Sequence, residues 1–150
     1  MDRDERFRQH ARALLNGEGQ EAQRIADQFT RDDHGAHFIF IGALFTRIVL
    51  RHFGTELHAE ELQRFMSGVR QDFQTANPPL NSLHVEGMIR SIYGEDQFLQ
   101  EVPAGEQSVV MWAVMRKITD QTVLGRHLEQ LFGEAEELAE RWIAEGAGNV

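Results

Sequence analysis

Hydrophobic residues recur at helical spacing along almost the whole chain of 150 residues. The clearest case is the segment from Leu62 to Phe73, where apolar side chains return at intervals of three and four residues. This spacing places them on one face of an amphipathic helix. No sustained alternation with a period of two, which is typical of strands, is present. The pattern therefore predicts an all-α fold: a single-domain helical bundle or orthogonal array of about six or seven helices.

Two segments are apolar on nearly all sides, at about residues 37–53 and 105–118. A helix of this kind has to be surrounded by other helices, so we expect these two to be central. One-sided helices would wrap them into a single domain over residues 1–150. The first helix, within residues 1–16, has a short apolar stripe and many arginines, and we expect it to pack loosely.

The first apolar segment does not resemble a membrane span. Its longest uncharged run, Phe38 to Thr46, is well short of the roughly 20 residues that a transmembrane helix needs. Arg47 and Arg51 then interrupt it. The N-terminal residues are charged and lack the apolar core of a signal peptide. We therefore expect a soluble cytoplasmic protein without a membrane partner.

Helix boundaries are marked by capping and breaking residues. Asp32 or Asp33 is predicted to cap the central helix, and Thr55 the fourth helix, because their side-chain oxygens can accept from free N–H groups. Asn77-Pro78-Pro79 is predicted to end the fourth helix, since the residue before a proline avoids helical geometry.

The last helix, predicted at about residues 122–144, carries a seam of large apolar side chains. The intervals between them alternate between four and three residues once Ala135 is included, a spacing typical of coiled coils. Such a seam can pair with its twin across a two-fold axis, or it can dock inside its own chain. We therefore predict a possible homodimer, and the seam residues are Leu124, Leu128, Leu131, Leu138 and Trp142.

The charge balance disfavours nucleic acid as a partner. The formal net charge is −9, from 15 basic and 24 acidic side chains. Between residues 34 and 75, the only place where a helix-turn-helix can be imagined, four basic and four acidic side chains cancel. Binding to phosphates normally needs a basic stripe. A DNA-binding regulator is thus the least favoured alternative.

The densest group of potential metal ligands lies at Asp33, His34 and His37, with His58 as a possible distant partner. Carboxylate oxygens and imidazole nitrogens both bind divalent metals. The alternative is an ordinary polar loop with solvated histidines. No zincin, phosphate-binding or nucleophile-elbow motif occurs, so no cofactor and no catalytic residue is predicted.

The chain also has seven histidines. A response to pH below about 6.5 requires that some of them be buried or paired.

The sequence is compatible with three functions, which we rank from the most to the least favoured. The first is a protein-interaction module that self-associates and has no catalytic activity. The second is a helical bundle that binds a metal or small ligand through Asp33, His34 and His37, with enzymatic activity left open. The third is the DNA-binding regulator.

Overall fold

The computed structural model describes residues 2–72 and 80–148, and within these ranges the chain is all-α, without a strand. The predicted fold class is confirmed. Seven α-helices and two short 3-10 helices make up this described part. The α-helices are α1 (Arg3–Leu15), α2 (Gly19–Ala26), α3 (Arg31–Phe53), α4 (Ala59–Asp72), α5 (Ser82–Ile92), α6 (Ala104–Gln121) and α7 (Leu128–Gly148); the 3-10 helices are Asp96–Glu101 and Val123–Arg126.

The chain divides into two compact units. Unit 1 comprises residues 1–48 and 115–150, and unit 2 comprises residues 49–114. Both are helical, and α3 and α6 each pass from one unit into the other. The single domain expected from the sequence remains a prediction.

In unit 1, α1 packs against α2 and α7. The turn from α1 to α2 is made by Gly17, whose φ of +78° is accessible to glycine without strain. The N–H of Gly17 donates to the carbonyl of Leu14, and the N–H of Glu18 donates to that of Ala13. This is a Schellman motif, which satisfies carbonyls that the helix end leaves open.

Unit 1 also joins helices that are distant in sequence. The guanidinium of Arg8 on α1 donates from Nε and Nη2 to the two oxygens of Glu136 on α7, at 2.5 and 2.7 Å. Its Nη1 donates to Glu129 at 3.0 Å, and Arg12 pairs with the same Glu129. The two-point contact with Glu136 fixes orientation as well as charge.

In unit 2, α4 packs on α5, and α5 packs on the first 3-10 helix. The stripe predicted for α4 is buried at Leu62, Phe65, Met66 and Val69. The predicted stripe member Phe73 and the predicted break at Asn77-Pro78-Pro79 lie outside the described residues.

The central helix is longer than predicted, because it begins at Arg31 rather than near His37. Thr30 precedes it and forms a capping box with Asp33. The N–H of Asp33 donates to Oγ1 of Thr30 at 3.3 Å, and the N–H of Thr30 donates to Oδ2 of Asp33 at 2.9 Å. The cap is therefore Thr30, and Asp32 and Asp33 lie in the first turn. The segment read as a polar loop is helix.

The added length changes the comparison with a membrane span. By length and composition α3 is the one helix in the described part of the chain that could cross a membrane, and half of its most apolar window is buried in the fold. Core helices also meet this criterion. The argument that the segment is too short is therefore wrong. Location remains a prediction.

Two other boundaries differ from prediction. α4 begins at Ala59, four residues after Thr55, so Thr55 is not its N-cap. α7 begins at Leu128 rather than near Thr122, and Leu124 lies in the preceding 3-10 helix. There the hydroxyl of Thr122 accepts from the N–H of Leu124 at 3.2 Å, which starts the shorter helix and separates it from α7.

Candidate functional site

A cluster of aromatic and imidazole rings fills the junction of α1, α3 and the turn after α2 in unit 1. We call it the histidine cluster. At its centre the rings of His10 and His37 meet edge to face, with centroids 4.7 Å apart. Its members are Phe7, His10, Phe29, His37 and Phe40, and each ring has its centroid within 6 Å of at least one other.

Helical spacing explains how each element supplies its share of the cluster. His10 follows Phe7 by three residues, and Phe40 follows His37 by three residues, so each pair lies on one helix face. Phe29 comes from the turn between α2 and α3 and contacts both histidines, with centroids at 5.6 Å from His10 and 4.8 Å from His37. The cluster thus joins three consecutive parts of the chain.

Both histidines are buried, at 7% exposure for His10 and 9% for His37. Burial among apolar rings disfavours the charged imidazolium, and it lowers the pKa of His10 to about 4. Burial, and then the neighbouring His10 and His34, lower the pKa of His37 to about 3, which Asp33 opposes. At neutral pH the cluster therefore holds two uncharged imidazoles.

One nitrogen in the cluster carries an energetic cost. Within the described residues Nε2 of His37 is buried and has no hydrogen-bond partner. A buried polar atom left unsatisfied costs about 1–3 kcal/mol. An apolar ring would fill this position without that cost, so packing alone does not account for an imidazole here.

Asp33, one turn before His37, is held by other groups. Its Oδ2 accepts from the N–H of Thr30 and from Nη2 of Arg6, at 2.9 and 3.2 Å. The hydrogen bond from the Thr30 N–H is the main cause that holds the pKa of Asp33 below its ordinary value, and burial opposes it. This carboxylate completes the capping box with Thr30 and joins α1 to the start of α3 through Arg6.

The three residues predicted as metal ligands lie on the first turns of α3 but do different things. Asp33 accepts from the N–H of Thr30 in the capping box, and His37 is in the histidine cluster. His34 is exposed at the edge of the cluster, with its ring 6.1 Å from that of Phe29. His58 belongs to unit 2. Across residues 2–72 and 80–148, no group of three or more potential ligands is arranged to hold a metal ion. The metal site therefore remains a prediction that the geometry does not support.

The residues predicted for self-association are mostly covered by their own chain. Leu128, Leu131 and Leu138 are buried in the fold, and Leu124 is half-buried. They cannot meet a second copy without rearrangement of α7. Trp142 differs from them, because 37% of its surface is exposed.

Trp142 belongs to an exposed apolar surface in unit 1. A Cβ added to Gly42 of α3 would lie 3.7 Å from the indole ring, which places that ring on α3 at Gly42. Phe38 lies one turn earlier on the same face of α3 and is 47% exposed, and Ile143, next to Trp142, is 46% exposed. We call Phe38, Trp142 and Ile143 the apolar patch.

The sequence contains a signal that places His10 on the buried side of its helix. It lies three residues after Phe7, beside the stripe formed by Phe7 and Ala11, so helical spacing already placed it on the buried side of α1. Its meeting with His37 depends on how α1 docks on α3. Nothing in the spacing along one helix reports such docking.

No protein family, no curated protein and no solved structure matches this chain.

Proposed function

We propose that this chain is a helical protein-interaction module that self-associates through the apolar patch. The observation that carries the proposal is the position of Trp142. Its ring is seated on α3 at Gly42, yet more than a third of the residue faces outward. Large aromatic residues that are fixed in place and exposed supply much of the binding energy at interfaces, and tryptophan is the most enriched among them.

The neighbours of Trp142 suit an interface. Phe38 extends the apolar surface along α3, and Ile143 is an exposed apolar side chain about 100° around α7 from Trp142. Glu140, Arg141 and Glu145 are exposed on the same end of α7. An apolar centre with a polar rim is the usual anatomy of a protein interface. In a dimer with two-fold symmetry the patch would face its own copy, so each substitution would act twice.

The apolar patch is a different surface from the seam that the coiled-coil spacing predicted. The seam residues Leu128, Leu131 and Leu138 are buried within unit 1. Only Trp142, at the exposed end of the seam, belongs to the proposed interface. The metal-binding and DNA-binding alternatives gain no support from the geometry. The cytoplasmic location likewise remains a prediction.

The test is sedimentation equilibrium on wild type and on two variants, Trp142→Ala and Ile143→Ser. Loss of a tryptophan hot spot typically costs at least about 2 kcal/mol in each copy, so a two-fold dimer should lose about 4 kcal/mol, which is about a 900-fold rise in Kd. We expect such a rise for Trp142→Ala and a smaller rise for Ile143→Ser. Circular dichroism would verify that both variants stay helical.

Val123→Ala is the matched control, because Val123 is an exposed apolar residue of unit 1 that is not in the patch. It should leave Kd unchanged. A wild type that remains monomeric at millimolar concentration would contradict the proposal. So would a Trp142→Ala protein that associates as strongly as wild type.

A further inference from the structure

The histidine cluster plays no part in the proposed self-association. It contains two buried imidazoles where apolar rings would be expected. Two imidazoles that belong to different helices meet at 4.7 Å between phenylalanine rings, both almost fully buried. His10 comes from α1 and His37 from α3, so the contact between them is also a contact between these helices. Whatever separates the rings weakens the docking of α1.

A proton on either imidazole would place a charge inside this apolar junction. Buried charges are tolerated when they are paired, and otherwise the structure favours states in which the charge reaches water. A second proton would add a like charge within about 5 Å of the first, which is repulsive at low dielectric. The contact that joins α1 to α3 at neutral pH therefore opposes their association once both rings are charged.

The charged groups that act on His37 do not offset this effect. Asp33 is the carboxylate that acts on His37, and its Oδ2 already accepts from the Thr30 N–H and from Arg6. His34 acts on His37 in the opposite sense.

The two helices that pack against α1 carry charged side chains that pair with other groups. On α7, Glu129 and Glu136 pair with arginines of α1. On α2, Glu21 and Arg24 pair with each other.

We propose that the histidine cluster is an acid-sensitive latch, which holds α1 and α2 against α3 at neutral pH and releases them when His10 and His37 take up protons. The released segment would expose Phe7 and Phe29. Because α1 and α2 are consecutive and pack on each other, they would move together. The rest of α3 would stay in place, since its residues Leu44, Phe45 and Ile48 are buried beyond the cluster.

The direction of the response follows from linkage. In the closed form the pKa of His10 is about 4 and that of His37 about 3, while a released histidine returns to about 6.5. Between these values the released form binds more protons, so acid favours release. From pH 7 to pH 5 each histidine shifts the equilibrium by about 25-fold, and the two together by about 600-fold.

Hydrogen–deuterium exchange with mass spectrometry at pH 7 and pH 5, corrected for the intrinsic rate of exchange, would detect this release. We expect protection across residues 3–26 to fall by at least tenfold at pH 5 in wild type, and protection across residues 41–48 to stay the same. The variant His10→Phe/His37→Phe keeps two rings but cannot take up protons there. Its protection across residues 3–26 should change less than about twofold.

His127→Gln is the matched control, since His127 is an exposed histidine of the same unit. It should respond to pH as wild type does. Loss of protection in all helices together would overturn the latch, because it would show global unfolding. An unchanged wild type at pH 5, or a double variant that responds as strongly as wild type, would also overturn it.

If the double variant does not fold, the imidazole nitrogens of wild type can be followed by NMR during a titration. In the closed state His10 and His37 should both remain neutral at pH 5. Titration of either ring near pH 6.5 while α1 stays protected would exclude the latch. None of these results depends on the apolar patch, so the latch and the self-association can fail separately.

Discussion

Two glycines show how a single Cβ atom can either damage or improve this fold. Gly125 lies in the second 3-10 helix, where an added Cβ would be 2.5 Å from the backbone carbonyl oxygen of Thr119. A backbone atom cannot move aside cheaply. Gly133 lies inside α7, and an added Cβ there would meet nothing within 4 Å.

We therefore predict opposite effects of the same substitution. Gly125→Ala should lower the free energy of unfolding by about 1–3 kcal/mol through overpacking. Gly133→Ala should raise it by about 0.5–1 kcal/mol, because alanine loses less entropy in a helix. Urea denaturation measures both, and stabilisation by Gly125→Ala would contradict the packing described at Thr119.

The buried histidines also make stability depend on pH. Burial lowers the pKa of His10 to about 4 and of His37 to about 3, whereas both have about 6.5 in the unfolded chain. As pH falls through 6.5 the unfolded state binds protons first, so the free energy of unfolding decreases. We expect a loss of about 2 kcal/mol per histidine between pH 7 and pH 5.

Urea denaturation at a series of pH values would measure this loss. His37→Phe should reduce the slope by about half, because one of the two protons is no longer taken up. A stability that is constant from pH 7 to pH 5 would show that neither imidazole is buried as described.

At the scale of elements, the start of α3 depends on the capping box. Thr30→Ala removes the hydroxyl that accepts from the N–H of Asp33, and such a loss typically costs about 1 kcal/mol. Thr55→Ala is the matched control, because Thr55 is exposed and lies four residues before α4. It should change the thermal unfolding midpoint little, and an equal fall in both variants would refute the assignment of Thr30 as the cap.

The elements that the sequence predicted well are those with one clean stripe. In α4 the apolar residues from Leu62 to Val69 are buried as their spacing indicates, because an amphipathic helix reports its buried face directly. The start of α3 was missed for the converse reason. Residues 31–36 contain no large apolar side chain. Their helical state depends on the capping box of Thr30 and Asp33 rather than on hydrophobic spacing.

The candidate sites show a second limit of prediction from the sequence, which is that neighbours in the chain need not share an environment. Asp33, His34 and His37 are close in the chain, but the helix gives each of them a different environment. His10 and His37 are 27 positions apart and meet only because α1 docks on α3. Likewise, Trp142 and Leu138 follow one spacing rule, yet Trp142 is exposed and Leu138 is buried, and spacing along one helix does not report how far its neighbours cover it.

At the scale of the whole molecule, the net charge of −9 should act on self-association. Two copies of an acidic protein repel each other, and salt screens the repulsion over a distance that shrinks from about 10 Å at 0.1 M to about 3 Å at 1 M. An apolar contact is not weakened by this screening. We therefore predict that Kd falls several-fold as sodium chloride is raised from low to high concentration.

Sedimentation equilibrium at several salt concentrations would measure this dependence. The Trp142→Ala variant should remain weakly associated at every concentration. If Kd instead rises with salt, ion pairs rather than the apolar patch hold the copies together.

The contact of Arg8 with Glu129 and Glu136 has a consequence for synthesis. These residues are separated by 121 and 128 positions. At about 5–20 residues per second, a ribosome needs roughly 6–25 s to make the intervening chain. During that time α1 lacks its ion-pair partners on α7, whereas the aromatic partners of Phe7 come from the turn after α2 and from α3 and are made much earlier. The charged contacts that α1 makes in unit 1 are therefore completed only after the last helix has been synthesised.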